Sequence, residues 1–503
     1  MVSRAAPSLF RVLAQQRRWS TWEVFVTHFD KAARALVKNA PSTTVRTPSV
    51  GRRTFDRWYS GDWYGQPRGT FTCRVLEDMF GFPVEELFRP APAVLRPTES
   101  PLGRDQVRAA QAIERSWATS RMSLTTASGF GWDTWELAGR RTFDGTSLAV
   151  RMHLLEPPDG GLLRLGLDDD PSLQGSLRPA GAGALIGVLP SHSGPELYVM
   201  DAGVARSHLL RAPGADALPI PDAYRLDDLT YGLIWAAANL DAALLADDWQ
   251  LDAEEPLLTA YLDVPRTAPS RSLLPELTAI GSSWVGSSFC AQHIQRKLES
   301  ASGTPVFWTR EQFGEEAAGW LLWKHKIQYV HTLQERFATS AGPSLSRAFC
   351  IPEVAVKDSD QYELLLLLLA VACMEMHDIV VHVCDDASMS SLEGFVLIPG
   401  QSAIIANWVR AEGLWYADAT SARAQLRSYA DAVQYAAEQT IAKGNSARER
   451  LQALAAYFGV DWTWFTRRCR TLAAAGIDGL VRPRSRLMSN AELETTLRFV
   501  GSL

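Results

Sequence analysis

The chain has 503 residues, too many for one compact core, and its 47% apolar and 21% charged residues exclude a largely disordered protein. Its six cysteines stand far apart and form no CxxC pair, which fits reduced, buried thiols in a cytoplasmic chain. The net charge of −6 is unevenly spread: residues 1–89 hold 14 Lys/Arg against 8 Asp/Glu and the remainder 36 against 48, so a small basic segment precedes an acidic body, as expected of a chain that holds a polyanion by one end.

The opening residues are basic but lack a long apolar run with a small-residue cleavage site, so no signal peptide is expected. "STWEVFVTHFDKAARALVKN" (Ser20–Asn39) predicts an amphipathic helix capped by Ser20 or Thr21, with Trp22, Phe25, Phe29, Ala33 and Leu36 facing a core. After a loop, Ala40–Pro48, comes "SVGRRTFDRWYSGDW" (Ser49–Trp63). At about 100° per residue its Arg52, Arg53 and Arg57 share a polar face with Asp56, and Phe55 and Trp58 fall opposite; Ser49 or Gly51 caps this helix and Gly61 ends it. Phe71, Val75, Leu76 and Met79 mark another helix, and "FPVEELF" a short closing one. The prolines of Arg89–Pro101 read as a linker (89–103), which makes residues 1–88 a separable all-α module.

A helical pattern at Arg104–Ser120 precedes four expected strands, Ser147–Leu155, Gly161–Asp168, Ala184–Pro190 and Pro195–Gly203, and a helix at Leu226–Ala246. Residues 104–262 form one expected α+β unit, followed by a second linker, 263–272. The unit 273–421, α+β or α/β, has a long helix at Gly314–Phe337 and another at "QYELLLLLLAVACMEMH". Strands are expected at Asp378–Asp385, Gly394–Gly400, Ser402–Val409 and Gly413–Thr420, and residues 422–503 make a helical tail. The most apolar run, Leu364–Met374, is too short to span a bilayer, so no membrane is expected.

Residues 17–88 resemble the Cro/repressor-type (XRE-like) helix-turn-helix regulators, in the divergent form common in actinobacterial proteins. In that family the recognition helix carries polar residues near its start and again five positions on, apolar residues between and after, and a closing glycine. These fall here on Arg52, Arg53 and Arg57, on Phe55 and Trp58, and on Gly61. The loop Ala40–Pro48 is longer than the family's tight turn. The resemblance implies a sequence-specific transcription regulator of the cytoplasm and nucleoid whose partner is double-stranded DNA. Arginine can reach guanine O6 and N7 with two hydrogen bonds, and Arg17, Arg18, Arg46 and Arg68 flank the helix where they can hold phosphates. One such module has little contact area, so a homodimer is expected.

The stretches "TPVFWTREQFGEEAAGWLLWKHK" and "LEGFVLIPGQSAIIANWVRAEGLWYADAT" are similar to the C-terminal domains of such regulators, some of which have been likened to the phospholipase D fold. The His-x-Lys signature of that fold is absent, "KHK" having the wrong order, which implies effector sensing or dimerisation rather than catalysis. In the tail, Leu451–Arg486 has the rhythm of a second helix-turn-helix, with Asp461 as N-cap and Thr463, Thr466, Arg467 and Arg470 as candidate DNA contacts; the alternative is a basic dimerisation tail.

No GxSxG, P-loop, GxGxxG or HExxH is present, so no enzyme activity, cofactor or metal is expected. "GSSWVGSSFC" (Gly281–Cys290) reads as a loop or helix start, and His382 and Cys384 share one strand face without the second ligand pair a zinc site needs. His325 and His331, preceded by Glu311, Glu315 and Glu316, read as a solvated helix face. The competing readings are an enzyme with a DNA-binding appendage, its site around His377–Asp386 or Glu311–His331, and a protein-interaction scaffold.

Overall fold

The structure, a computed structural model, describes residues 8–16, 19, 21–38, 49–60, 67, 69–80, 84–89, 122–126, 133–137, 146–159, 162–166, 183–189, 196–212, 215, 217–259, 266–267, 277–310, 313–337, 345–408 and 415–503. Almost all of the expected linker 89–103 and the expected helix at 104–120 lie outside these residues. What is described is a multidomain mixture of helices and mixed sheets.

The N-terminal unit contains α1 (Leu9–Gln16), α2 (Trp22–Lys38), α3 (Arg52–Ser60), α4 (Thr70–Phe80) and the single turn α5 (Val84–Leu87). Its core is separate from the rest and strongly aromatic. Phe10 sits at the centre, with ring centroids 5.4–5.8 Å from those of Phe25, Trp58, Phe80 and Phe88. Such offset and edge-on pairs stabilise beyond the area they bury.

The body begins with β1 (Met122–Thr126), β2 (Asp133–Leu137), β3 (Thr146–Leu154), β4 (Glu156–Asp159), β5 (Leu162–Gly166), β6 (Gly183–Leu189), β7 (Glu196–Asp201), α6 (Ala202–Arg211) and β8 (Ala217–Pro221). Five of these strands form a sheet of order β1-β2-β3-β6-β7, parallel only at β3/β6, and β4-β5-β8 form a smaller sheet. Then come α7 (Asp228–Ala246), α8 (Asp248–Thr259), β9 (Arg266–Thr267), α9 (Ala279–Leu298), β10 (Val306–Thr309), α10 (Gly314–Leu322), α11 (Lys324–Phe337), β11 (Ser346–Cys350), α12 (Glu353–Asp358), α13 (Gln361–Met376), β12 (Val380–Cys384), β13 (Phe395–Ile398), β14 (Ser402–Asn407) and β15 (Tyr416–Thr420). The last helices are α14 (Arg423–Glu438), α15 (Ala447–Tyr457), α16 (Trp462–Ala475) and α17 (Ala491–Ser502).

A second sheet has the order β12-β11-β10-β13-β14-β15-β9. It is parallel from β12 to β10 and antiparallel beyond, so β10 is where strand direction switches. One face, with Phe307, Phe349, Val381, Val383 and Val396, joins the main core. The other, with Trp308, Cys350, Cys384 and Phe395, is covered by Ala432 and Ala436 of α14.

One continuous core runs from Leu137 to Val500. The stretch expected as a linker at 263–272 contributes the edge strand β9, paired with β15. Tyr231 and Trp235 of α7 meet Tyr362 of α13 edge-on at 4.9 and 5.2 Å, and Gly232 lets the helices approach, since a Cβ there would lie 3.1 Å from the Tyr362 carbonyl oxygen. Among the described residues α7 is the one helix long and apolar enough to cross a membrane, and 78% of its apolar window is buried inside the protein.

One local expectation is corrected and another is narrowed. The helix expected over Gly314–Phe337 is two helices, α10 and α11, because Trp323 between them is extended and bridges Met488; the Lys324 amide donates to the Leu487 carbonyl and the Ser489 amide to the Leu322 carbonyl. A segment of the tail thus takes hydrogen bonds that would have continued the helix. "GSSWVGSSFC" is the helix-start alternative and not a loop: it begins at the third residue of α9 and continues through the first half of that helix, with Ser287 and Ser288 buried and Gly286 against the Trp415 indole.

His293 on α9 is fully buried, and among the described residues neither ring nitrogen has a hydrogen-bond partner. Burial, helped by Lys297 and opposed by Asp418, pulls its pKa down to about 4. Burial and then Lys326 pull His325 down to about 3. Unfolded imidazoles titrate near 6.5, so the unfolded chain binds protons that the folded one refuses. This contribution to stability is complete above pH ~6.5 and is lost on acidification, by up to ~1.4 kcal/mol per pH unit for each histidine. Urea titrations at pH 7 and pH 5 are expected to give a lower midpoint at pH 5, and His293→Leu is expected to shrink that difference.

Candidate nucleic-acid interface

The sequence places three arginines on one face of α3, and the structure separates the two faces as expected. Phe55 and Trp58 are 2% and 3% exposed, while Arg52, Arg53, Thr54, Asp56 and Arg57 are all exposed. Phe55 lies 4.9 Å from Phe25 of α2 and Trp58 lies 5.8 Å from Phe10 of α1, so two aromatic side chains seat the helix. The Arg52 guanidinium is 3.9 Å from Glu23, with both side chains mostly exposed, a pairing worth little in solvent. Arg17, Arg18, Arg46, Arg68 and the closing Gly61 lie outside the described residues.

The start of α3 is tied to α2 by one directed contact: the Trp22 indole Nε1–H donates to the Val50 carbonyl at 2.9 Å. Trp22→Phe keeps the ring and removes the donor. We expect it to destabilise the N-terminal unit by about 0.5–1.5 kcal/mol, read as a lower unfolding temperature of that unit.

In the tail, α15 and α16 are joined by a tight turn in which Gly459 adopts φ 69°, and Asp461 caps α16 by accepting from the Trp464 amide. Phe465, Cys469 and Leu472 point into the core. Thr463, Arg467 and Arg470 are exposed and Thr466 is half-buried. Arg470 is already engaged, donating through Nε to the Gly501 carbonyl at 2.8 Å. Much of the tail's positive charge is matched internally: Arg450 meets Glu375, Arg468 meets Asp227, Arg484 meets Asp241, and Arg486 meets Asp248 and Asp252. Of the four tail candidates, Thr463 and Arg467 present the freest side chains to solvent.

The body holds a cavity beside β10, the strand at which the sheet passes from parallel to antiparallel pairing. Ser287, Trp320, Lys326, Arg347, Asn407 and Trp408 help line it. Lys326 and Arg347 are both buried. The Lys326 ammonium lies 4.0 Å from the Trp320 ring centre and 4.6 Å from that of Trp408; the Arg347 guanidinium lies 4.7 Å from the Phe307 and Trp320 rings and donates to Thr309 Oγ1. Sequence reading missed this site. Its one signal was a lone arginine inside the apolar strand "SRAFC".

His325 is not on a solvated face as expected: its Nε2 lies 2.9 Å from Ser287 Oγ, and its Nδ1 makes no hydrogen bond. Among the described residues no third group hydrogen-bonds this ring, and a serine–histidine pair whose imidazole has its pKa near 3 is a poor nucleophile–base couple. His382 and Cys384 do share a face, in register with Ala348 and Cys350 of β11.

No protein-family model, no curated protein and no solved structure matches the chain.

Proposed function

We propose that the chain is a sequence-specific transcription regulator that binds double-stranded DNA as a homodimer in the cytoplasm, with α2 and α3 as a helix-turn-helix and α3 as its reading helix. The observation that carries this reading is the division of α3 into a seat of Phe55 and Trp58 and an exposed face of Arg52, Arg53 and Arg57. The resemblance of residues 17–88 to Cro/repressor-type regulators points the same way. Selection of duplexes from a random-sequence pool, repeated with the three arginines replaced, tests it, and sedimentation with and without the selected duplex tests the dimer.

The acidic body serves as the effector-sensing part. The cavity beside β10 supports an anionic, ring-bearing small molecule, because cations and tryptophan faces converge on it. Among a panel of aromatic carboxylates, at least one is expected to raise the unfolding temperature of the body, and Lys326→Met is expected to abolish that rise.

A further inference from the structure

Three side chains from three distant segments meet at the surface of the body: His331 of α11, His377 just past α13, and Glu492 in the first turn of α17. Their ligand atoms all lie within 4.8 Å of one another. Each carboxylate oxygen of Glu492 faces one imidazole: Oε2 is 3.5 Å from His331 Nε2, and Oε1 is in direct contact with His377 Nε2. We propose that His331, His377 and Glu492 form a binding site for a divalent transition-metal ion of the zinc, cobalt or nickel class.

The second layer of contacts carries the argument. His377 Nδ1 lies 3.0 Å from Gln334 Oε1, an acceptor, so Nδ1 bears the proton. The cation that joins Nε2 to the carboxylate oxygen at this contact is either a proton, which Nε2 then donates to Glu492, or a metal ion that takes the proton's place on the Nε2 lone pair. A histidine ligand whose other nitrogen donates to a carbonyl is the usual arrangement around a bound metal, where that bond sets the tautomer and the ring orientation. The Glu492 carboxylate is itself oriented, since its residue is 8% exposed and Cys373 Sγ lies 3.8 Å from Oε1.

The spacing also fits. Bonds of about 2.0–2.1 Å in tetrahedral geometry put neighbouring ligand atoms about 3.3 Å apart. The 3.5 Å His331–Glu492 separation already matches, but it is made to Oε2 whereas His377 touches Oε1, so the His377 contact must open before the three ligand atoms can surround one ion. The His331 side chain is 46% exposed, which leaves one side of the site open for an ion to enter and to keep a water ligand. Two imidazoles and one carboxylate select borderline ions over calcium or magnesium, which take oxygen ligands.

Because α17 packs against α13 and α16, a bound ion ties the last helix of the chain to the α11–α13 layer. This site stands independently of the DNA-binding reading.

The test uses the untagged full-length chain, stripped with a chelator and titrated with Co2+ and then Zn2+. One Co2+ per chain is expected, with visible absorption bands that Zn2+ abolishes, and Zn2+ is expected to raise the unfolding temperature. His331→Ala, at a half-exposed position, and Glu492→Gln should each weaken Co2+ binding at least tenfold and remove the thermal shift. If Glu492→Gln fails to fold, His331→Ala decides alone. Absence of stoichiometric uptake by the wild-type chain, or uptake unchanged in His331→Ala, overturns the proposal and leaves a proton-bridged His–Glu cluster.

Discussion

Replacing Arg52, Arg53 and Arg57 together by alanine is expected to lower affinity for a selected duplex at least about a hundredfold. Each arginine bonded to a base edge is worth about 1–3 kcal/mol of discrimination, and any that clamps phosphate instead reduces the slope of log K against log salt by about 0.9. The fold should survive. All three side chains are exposed, and exposed substitutions of this kind shift stability by only about 0.5 kcal/mol. Fluorescence anisotropy across a salt series reads affinity and slope together, and circular dichroism checks the helices. Unchanged affinity and slope in the triple variant would falsify the assignment of α3 as the reading helix.

Arg450→Ala is expected to destabilise the body by about 3–5 kcal/mol. The Glu375 side chain is 1% exposed, and Arg450 reaches both its oxygens, through Nε at 2.8 Å and through Nη2. Glu375 Oε1 also accepts from the Val381 amide at 3.0 Å, so the pair links α13, β12 and α15. Removing the guanidinium strands a buried carboxylate, which costs far more than the net worth of the pair. The control is Arg450→Ala combined with Glu375→Gln: the neutral amide can still accept from Val381, and part of the loss should return. Urea unfolding at pH 7 measures both. A single-variant cost below about 1 kcal/mol would mean that water reaches Glu375 once Arg450 is gone.

What could be read from the sequence was local. Periodicity separated Phe55 and Trp58 from Arg52, Arg53 and Arg57, and alternation located β3, β5, β6, β7 and β12 to β15 to within a few residues. What could not be read depended on residues far apart in the chain. Nothing in "GWLLWKHK" announces a helix break, because the break at Trp323 is made by Leu487 to Ser489. Net charge misled in the tail for the same reason: nine basic residues between 443 and 486 look available, yet Arg450, Arg468, Arg484 and Arg486 face carboxylates of the body. His331 and His377 read as a solvated histidine and part of a strand-end cluster because their common partner, Glu492, lies more than a hundred residues on.

The shared core of the body sets the order in which the chain can fold as it is synthesised. Among the described residues the N-terminal helices pack on one another, up to Arg89, and need nothing made later. The body cannot close early. The Asp201 amide awaits the Gly479 carbonyl, the Tyr224 hydroxyl donates to the Gly476 carbonyl, and Tyr224 fits against Gly479 only because that residue has no side chain. Until residues near 480 leave the ribosome, the apolar surfaces of α7 and α13 lack their last covering layer. The growing chain therefore carries a finished head on an unfinished body for most of its synthesis, the interval in which exposed apolar surface most invites aggregation or a chaperone.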